Sequence, residues 1–452
     1  MLLAGQLMAN IDVSVVNVAT PSISAELGAS GAMLEAVIAG YTLVYAVLLV
    51  TGARAGQLFG YRRVFLSGLS VFGLASLLCG LAPSPAVLVG ARLLQGLGAA
   101  ALVPQVLTGI QHHFTGPRRA KAVSAYGAVL AGSAVVGQIL GGVLTSANLF
   151  GTGWRPIFLI NVPIGLISLL VGRRVLPAPA PAVTRPDLDT RGTVTLTAGL
   201  TLVVVPLLFG RESGWPAWTW ASLVAGLAAL ALFGRLQQRT TRSGGSPVLR
   251  VELMQRRSVG AGLVALAGAS GTYFALLFTL AQYLQGGLGH GPIYSGLVLL
   301  PWVTAFGLAG RALPHRGRIS LPTAAGVGCL LLAAAYAALA VTVYGDRPSL
   351  PVLLVVLAGG GFGLGLNFAA LMATITGSVH KDEASDASGL ITTASQLGGV
   401  IVVAGLGTLY YGVAGSHPAG HAYAAVNAVS AAVAIVAAIA SISTRPQRRT
   451  SD

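Results

Sequence analysis

Roughly fourteen apolar runs of about 20 residues follow one another along this chain, and no other feature narrows its possible folds as far. They cover approximately 2–24, 33–53, 64–83, 86–111, 121–146, 156–175, 191–209, 217–234, 258–286, 292–312, 319–344, 350–377, 385–414 and 420–443. The core of a bilayer offers backbone N–H and C=O groups no water. Only α-helices or closed barrels can therefore cross it, and continuous rather than alternating apolar runs select helices. Composition agrees: 9% of the residues are charged and the mean hydropathy is +0.79, against about 25% charge in a soluble domain. The expected fold class is an all-α polytopic membrane protein.

The net charge of +15 raises the possibility of nucleic acid as a partner, but its distribution argues for topology. All but four of the 27 lysines and arginines fall in every second loop, around 54–63, 118–121, 173–191, 235–257, 311–318, 381 and 445–449. Arg155, Arg211 and Arg347 lie on the opposite side, and Arg92 lies within a span. The basic side is cytoplasmic, which places both termini inside, as an even number of spans requires. Cys79 and Cys329 fall within spans, so no disulfide framework is implied. The opening apolar run lacks a basic leader and reads as the first span rather than a cleavable signal peptide. A start upstream of Met1 is compatible with that reading.

Two longer cytoplasmic linkers divide the chain. Residues 176–190 are proline-rich and expected to be stiff, and 235–257 are polar and basic. The parsing is a six-helix half over 1–175, an inserted helix pair with its linkers over 176–257, a second six-helix half over 258–443, and a cytoplasmic tail at 444–452. Gly52-Ala-Arg-Ala-Gly-Gln57-Leu-Phe-Gly60-Tyr-Arg62-Arg63 joins spans two and three, and Gly310-Arg311-Ala-Leu-Pro314-His-Arg316-Gly317-Arg318 occupies the matching place in the second half. Such parallel repeats are one design of secondary transporters.

Arg92 is the one basic residue at membrane depth, where a guanidinium costs at least ~2.5–3.5 kcal/mol on insertion scales and is usually functional. Asp12 is the acid placed well inside a span. At ~1.5 Å per residue, Asp12 lies roughly 15 Å from the inner face and Arg92 roughly 9 Å from the outer face, a depth gap of about 6 Å. An arginine side chain spans that distance if the two helices are neighbours. Desolvation and a nearby cation act in opposite senses on a carboxylate's proton affinity, which allows protonation to be switched near neutral pH. The alternative is a static pair in which Asp12 only neutralises Arg92.

Gln95 and the small residues Gly96 and Ala99 accompany Arg92 on its helix. Ser133, Gly137, Gly141 and Thr145 form a small-residue seam on the fifth span, suited to close helix contact. Candidate cavity residues are Asn17, Tyr41, Gln95, Gln105, Gln138, Tyr273, Gln282, Trp302 and Asn367. Each is more readily read as an interhelical hydrogen bond or an interface anchor than as a ligand contact. His417 and His421 stand four apart, but Pro418 between them and the lack of a third ligand disfavour metal. Neither a phosphate-binding loop nor a Ser/His/Asp grouping occurs, so ATP-driven transport and hydrolysis within this chain are disfavoured. No cofactor is expected.

These segments together resemble the major facilitator superfamily, in particular its fourteen-helix drug:proton antiporter branch. Asp12-Val-Ser-Val-Val-Asn17-Val-Ala-Thr-Pro21 is similar to that branch's first-helix motif, and Arg92-Leu-Leu-Gln95-Gly96-Leu-Gly98-Ala-Ala to the fourth-helix motif, whose arginine the family associates with proton transfer. Trp154-Arg-Pro-Ile-Phe158-Leu-Ile-Asn161-Val-Pro163-Ile-Gly165 resembles a block at helix six, and Ser388-Gly389 with Gln396-Leu-Gly398-Gly399 one at the thirteenth. The resemblance implies two six-helix halves plus an inserted pair, with proton coupling at Asp12 and Arg92. It also implies gating and packing at Gln57, Gly60, Arg62, Arg63, Gly137 and Gly141. Three positions depart from the pattern. Gln57 stands where the family has a latching acid, Pro314 occupies the matching place in the second half, and Gln138 replaces a helix-kinking proline. The implied function is export of an amphipathic small molecule from the cytoplasm in exchange for protons, by a monomer in the cytoplasmic membrane whose halves alternate access. Two other readings are a dedicated exporter of one endogenous metabolite, such as an antibiotic or amino acid, and a transporter-derived sensor or scaffold that moves nothing.

Overall fold

A computed structural model describes every residue except Ser30, 148–150, 178–188, 211–212, 246, 248, 250, 314–318, 345–348, 380–382 and 445–452. All regular structure among the described residues is helical. In chain order the first nine elements are α1 (Leu2–Leu27), α2 (Gly31–Phe59), α3 (Tyr61–Gly80), α4 (Pro85–His113), α5 (Gly116–Ala147), α6 (Pro156–Leu159), α7 (Asn161–Val175), α8 (Thr190–Phe209) and α9 (Ala217–Arg242). They are followed by α10 (Glu252–Gln255), α11 (Arg257–Ala281) with a π-helical continuation (Gln282–Gly287), α12 (Pro292–Val298), α13 (Leu300–Ala309), α14 (Leu321–Val343), α15 (Leu350–Gly377), α16 (Ala384–Ala414) and α17 (Ala419–Ile442). Twelve helices among the described residues are long and apolar enough to cross a membrane. The other two expected spans are α1 and α5, with 26 and 32 residues. Among the described residues their apolar stretches include Leu2–Val16 and Val136–Thr145.

Three expected spans are not single α-helices, and each break has a local cause. The span at 156–175 divides at Ile160 into α6 and α7, because Pro163 has no N–H to offer the carbonyl four residues back. The span at 292–312 divides at Leu299, where Pro301 occupies the first turn of the new helix. The span at 258–286 ends in π-helix, closed by Leu288 N–H donating to the Tyr283 carbonyl at 3.0 Å. The expected loop between spans two and three is also almost entirely helical. Gly60 alone makes the turn, at φ 86° and ψ 129°, a conformation that a Cβ makes costly.

Two compact units emerge: Met1–Leu249 with Pro292–Leu297, and Arg250–Gly291 with Val298–Asp452. In the first, α1 packs on α5, α4 on α2 and α3, α7 on α3, and α8 on α2 and α9. Gly137 makes the first of these contacts close, since a Cβ there would meet the Ile11 carbonyl and Ser14 Cβ at 2.8 Å. In the second unit α14 lies against α15 and α17, and α11 against α16 and α17. Arg256 grips both carboxylate oxygens of Glu383 at 2.8 Å within this unit, fastening the base of α11 to that of α16.

Proline can leave a carbonyl unanswered inside a continuous helix, and in α8 a neighbouring helix supplies the missing donor. Pro206 in α8 frees the Leu202 carbonyl, which accepts from Ser222 Oγ of α9 at 2.8 Å. Ser222→Ala is therefore expected to lower stability by about 0.6 kcal/mol, the mean for such bonds in membrane proteins. Adding Pro206→Ala restores an N–H for Leu202 and is expected to recover much of that loss. Thermal unfolding of both variants in detergent measures the pair.

Candidate functional site

Asp12 lies near the middle of α1 and Arg92 two turns into α4, and the α1–α4 contact brings them together as an ion pair. Arg92 is 1% exposed and Asp12 0%. Gly96 permits the approach that shapes this pocket, since a Cβ there would lie 2.6 Å from the Tyr41 carbonyl of α2. Apolar side chains from α1, α2, α3, α4 and α6 enclose the pair, among them Val15, Val37, Cys79, Leu88, Ile157 and Phe158.

Both oxygens of Asp12, and Nε and Nη1 of Arg92, have protein partners. Arg92 donates from Nη1 to Asp12 Oδ2 and to Gln95 Oε1 at 2.7 Å, and from Nε to the Val37 carbonyl at 2.9 Å. Its guanidinium carbon lies 4.5 Å from the centroid of the Tyr41 ring and 5.8 Å from that of Phe158. The second oxygen of Asp12 accepts from Gln95 Nε2 at 2.8 Å and from Asn161 Nδ2 at 3.1 Å. Gln95 Nε2 also donates to Ser76 Oγ at 2.8 Å, and Tyr41 donates from its hydroxyl to the Ala9 carbonyl at 2.9 Å. Five helices, α1, α2, α3, α4 and α7, thus converge on one carboxylate and one guanidinium. The arrangement gathers a carboxylate, a guanidinium, two amides and a hydroxyl in one buried polar cluster.

The structure gathers four of the sequence candidates here: Asp12, Arg92, Gln95 and Tyr41. Two contributors were not among them. Ser76 carries no sequence signal beyond being a polar residue in a span. Asn161 was visible as a polar residue in the helix-six block, but no spacing ties residue 161 to residue 12. The helix break is the signal that could have found it, because Pro163 makes Asn161 the first residue of α7.

Other candidates lie elsewhere. Gln105 sits farther along α4 and donates to the Gly52 carbonyl of α2 at 2.8 Å. Gln138 is half-buried on α5, and its Oε1 has no hydrogen-bond partner. The side chain of Asn17 lies outside the described residues. In the second unit, Tyr273 stacks on Trp302 with centroids 5.8 Å apart, and Gln282 opens the π-helical turn. Asn367 donates to the Ala325 carbonyl at 3.0 Å and to Ser441 Oγ at 3.1 Å, joining α15 to α14 and α17. Among the gating and packing candidates, Gln57 accepts from Arg54 on its own helix, and Arg62 donates to the Arg173 carbonyl at 2.6 Å. Arg63 is exposed and Gly141 buried. Pro314 lies outside the described residues.

Comparison with known proteins decides the family. The profile of the Major Facilitator Superfamily matches residues 2–403. The chain belongs to the Major Facilitator Superfamily. It is a multi-pass membrane transporter of small molecules. Its relatives include a probable actinorhodin transporter of Streptomyces coelicolor, 38% identical over 92% of this chain and 72% of the relative. A puromycin resistance protein of Streptomyces alboniger is 36% identical over 93% of this chain and 82% of its own length. A cephamycin export protein of Amycolatopsis lactamdurans is 36% identical over 88% of this chain and 81% of its own.

In this facilitator-family transporter, breaking the pair and removing it have different consequences. Arg92→Leu leaves a buried carboxylate without its cation and is expected to cost about 3–5 kcal/mol. Asp12→Asn with Arg92→Leu removes both charges and is expected to recover most of that loss. Unfolding midpoints of the two variants in detergent provide the comparison.

Proposed function

We propose that this transporter exports amphipathic small molecules, antibiotics among them, in exchange for protons by alternating access across the cytoplasmic membrane. Both termini are cytoplasmic, and the working unit is a monomer. The observation that carries the reading is the enclosure of Asp12. One carboxylate and one guanidinium meet inside the helices, and Arg92 has two further acceptors, Gln95 Oε1 and the Val37 carbonyl. Protonating Asp12 therefore weakens the pair without leaving Arg92 unanswered. Coupling requires that the affinity of Asp12 for a proton differ between inward- and outward-facing states, because equal affinity shifts no population.

The substrate class is supported by the relatives, two of which are named for moving an antibiotic and one for resistance to one. The two transporter names each specify a single compound, which favours a narrower second reading in which this chain is dedicated to one metabolite.

Inside-out proteoliposomes with an acidic lumen provide the test. The wild-type protein is expected to accumulate puromycin while the gradient lasts and to release it when the gradient is collapsed. Asp12→Asn is expected to retain puromycin binding and to lose gradient-driven accumulation. Accumulation by the Asp12→Asn protein at the wild-type rate would refute the proton-coupling role. Failure with puromycin but success with another antibiotic would support the narrower reading.

A further inference from the structure

We infer that Asn161 is a positioning residue for proton coupling, one that directs the incoming proton to the carboxylate oxygen held by Arg92. The inference rests on the proton-coupling role proposed for Asp12. Its ground is the division of labour between the two carboxylate oxygens. Oδ1 accepts from two amides, Gln95 Nε2 and Asn161 Nδ2. Oδ2 is the oxygen that faces Arg92.

The amide of Gln95 cannot turn over to relieve Oδ1. Its own oxygen accepts from Arg92 Nη1 at 2.7 Å and from the Cys79 thiol at 3.7 Å, which keeps Nε2 toward Asp12 and Ser76. Asn161 approaches from another helix and fills the second acceptor position on the same oxygen. A proton arriving at Oδ1 would meet two N–H groups. At Oδ2 it displaces one contact, that of Arg92, whose Nη1 keeps Gln95 and whose Nε keeps Val37. Protonation and release of Arg92 thereby become one event. The carboxylate and proton give a neutral acid, the site passes from neutral to one net positive charge, and the same proton leaves Oδ2 when the pair reforms.

The position of Asn161 makes this role specific. It is the first residue of α7, immediately after the break at Ile160. The preceding block contributes Phe158, whose ring faces Arg92, and Arg155, which pairs with Glu26 on α1 and donates to the Ala82 carbonyl at 3.4 Å. One short segment thus touches both members of the charge pair and is anchored at two points beyond it. Among the described residues, the ionisable groups that interact electrostatically with Asp12 are Arg92 on α4, Tyr41 on α2 and Cys79 on α3, with Tyr45 acting through Tyr41. Asn161 contributes no charge of its own. Its effect on protonation runs through the hydrogen bond to Oδ1.

The test needs no substrate. Purified protein in nanodiscs is titrated with acid while the C=O stretch of protonated carboxyl groups is followed by infrared difference spectroscopy, and the band missing from Asp12→Asn identifies Asp12. In Asn161→Leu, which loses the donor, the midpoint of that band is expected to move to higher pH by about one unit, the size of one charge-assisted hydrogen bond. Asn161→Ser keeps a hydroxyl donor and is expected to move it less. Gradient-driven puromycin accumulation should show the same ordering in its pH profile. An unchanged midpoint in Asn161→Leu overturns the inference while leaving the role of Asp12 intact. A change in the remaining carboxyl bands when Asn161→Leu is added to Asp12→Asn, equal to the change it makes in the wild-type background, also overturns it, because the effect then runs through another group. If Asn161→Leu does not fold, Asn161→Ser and Asn161→Asp take its place. The added carboxyl group of Asn161→Asp is expected to produce the largest upward shift, and no shift in either variant overturns the inference.

Discussion

A guanidinium in a water-free helix bundle is tolerated only where its donors are answered by the protein, and much of the first unit is arranged around that requirement at Arg92. Asp12 supplies the charge, Gln95 and the Val37 carbonyl supply further acceptors, and Tyr41 and Phe158 present ring faces. These groups come from α1, α2, α4 and α6, so the packing of the bundle and the solvation of one side chain are the same problem. A small residue at Gly96 is part of the solution, because it admits the backbone of α2 beside the arginine. The site is built from helix approaches, and a substitution that alters an approach alters the chemistry.

The same rule governs the backbone. Where proline removes a helical N–H, the exposed carbonyl must find a donor, and in α8 it finds a serine on the neighbouring helix. Near Pro163 and Pro301 the α-helical hydrogen bonding lapses for one residue, at Ile160 and Leu299, while both residues keep right-handed helical dihedrals. The break before α7 has further significance. It places Asn161 at the head of α7, within reach of Asp12.

The spans were legible in the sequence because lipid imposes a single solution on a long apolar run, and the charged centre was legible because so expensive a pair draws attention to itself. Asp12 and Arg92 could be matched by depth alone, 80 residues apart. Asn161 and Ser76 could not, since polar residues of that size are affordable in many places and no periodicity connects them to Asp12. Tyr41 was a cavity candidate, and its place over Arg92 was not legible, because a tyrosine suits many settings and only three-dimensional packing distinguishes them. The π-helical turn at Gln282–Gly287 and the nearly loop-free junction at Gly60 were hidden for a related reason. Both depend on which hydrogen bonds close locally, and hydropathy does not record that.

The neutrality of the Asp12–Arg92 pair has an electrical consequence. While the pair is intact, the interior of the first unit carries no net charge at that depth, and a voltage across the membrane exerts little force on it. Once Asp12 takes up a proton, as proposed, Arg92 becomes an uncompensated cation within the field. A full crossing of one such charge is worth ~2.3 kcal/mol per 100 mV. The proton-loaded protein would then feel an inside-negative potential as a pull toward the cytoplasm, acting on a residue of its own rather than on the cargo. Voltage could bias the conformational cycle even when the two sides of the membrane have the same pH.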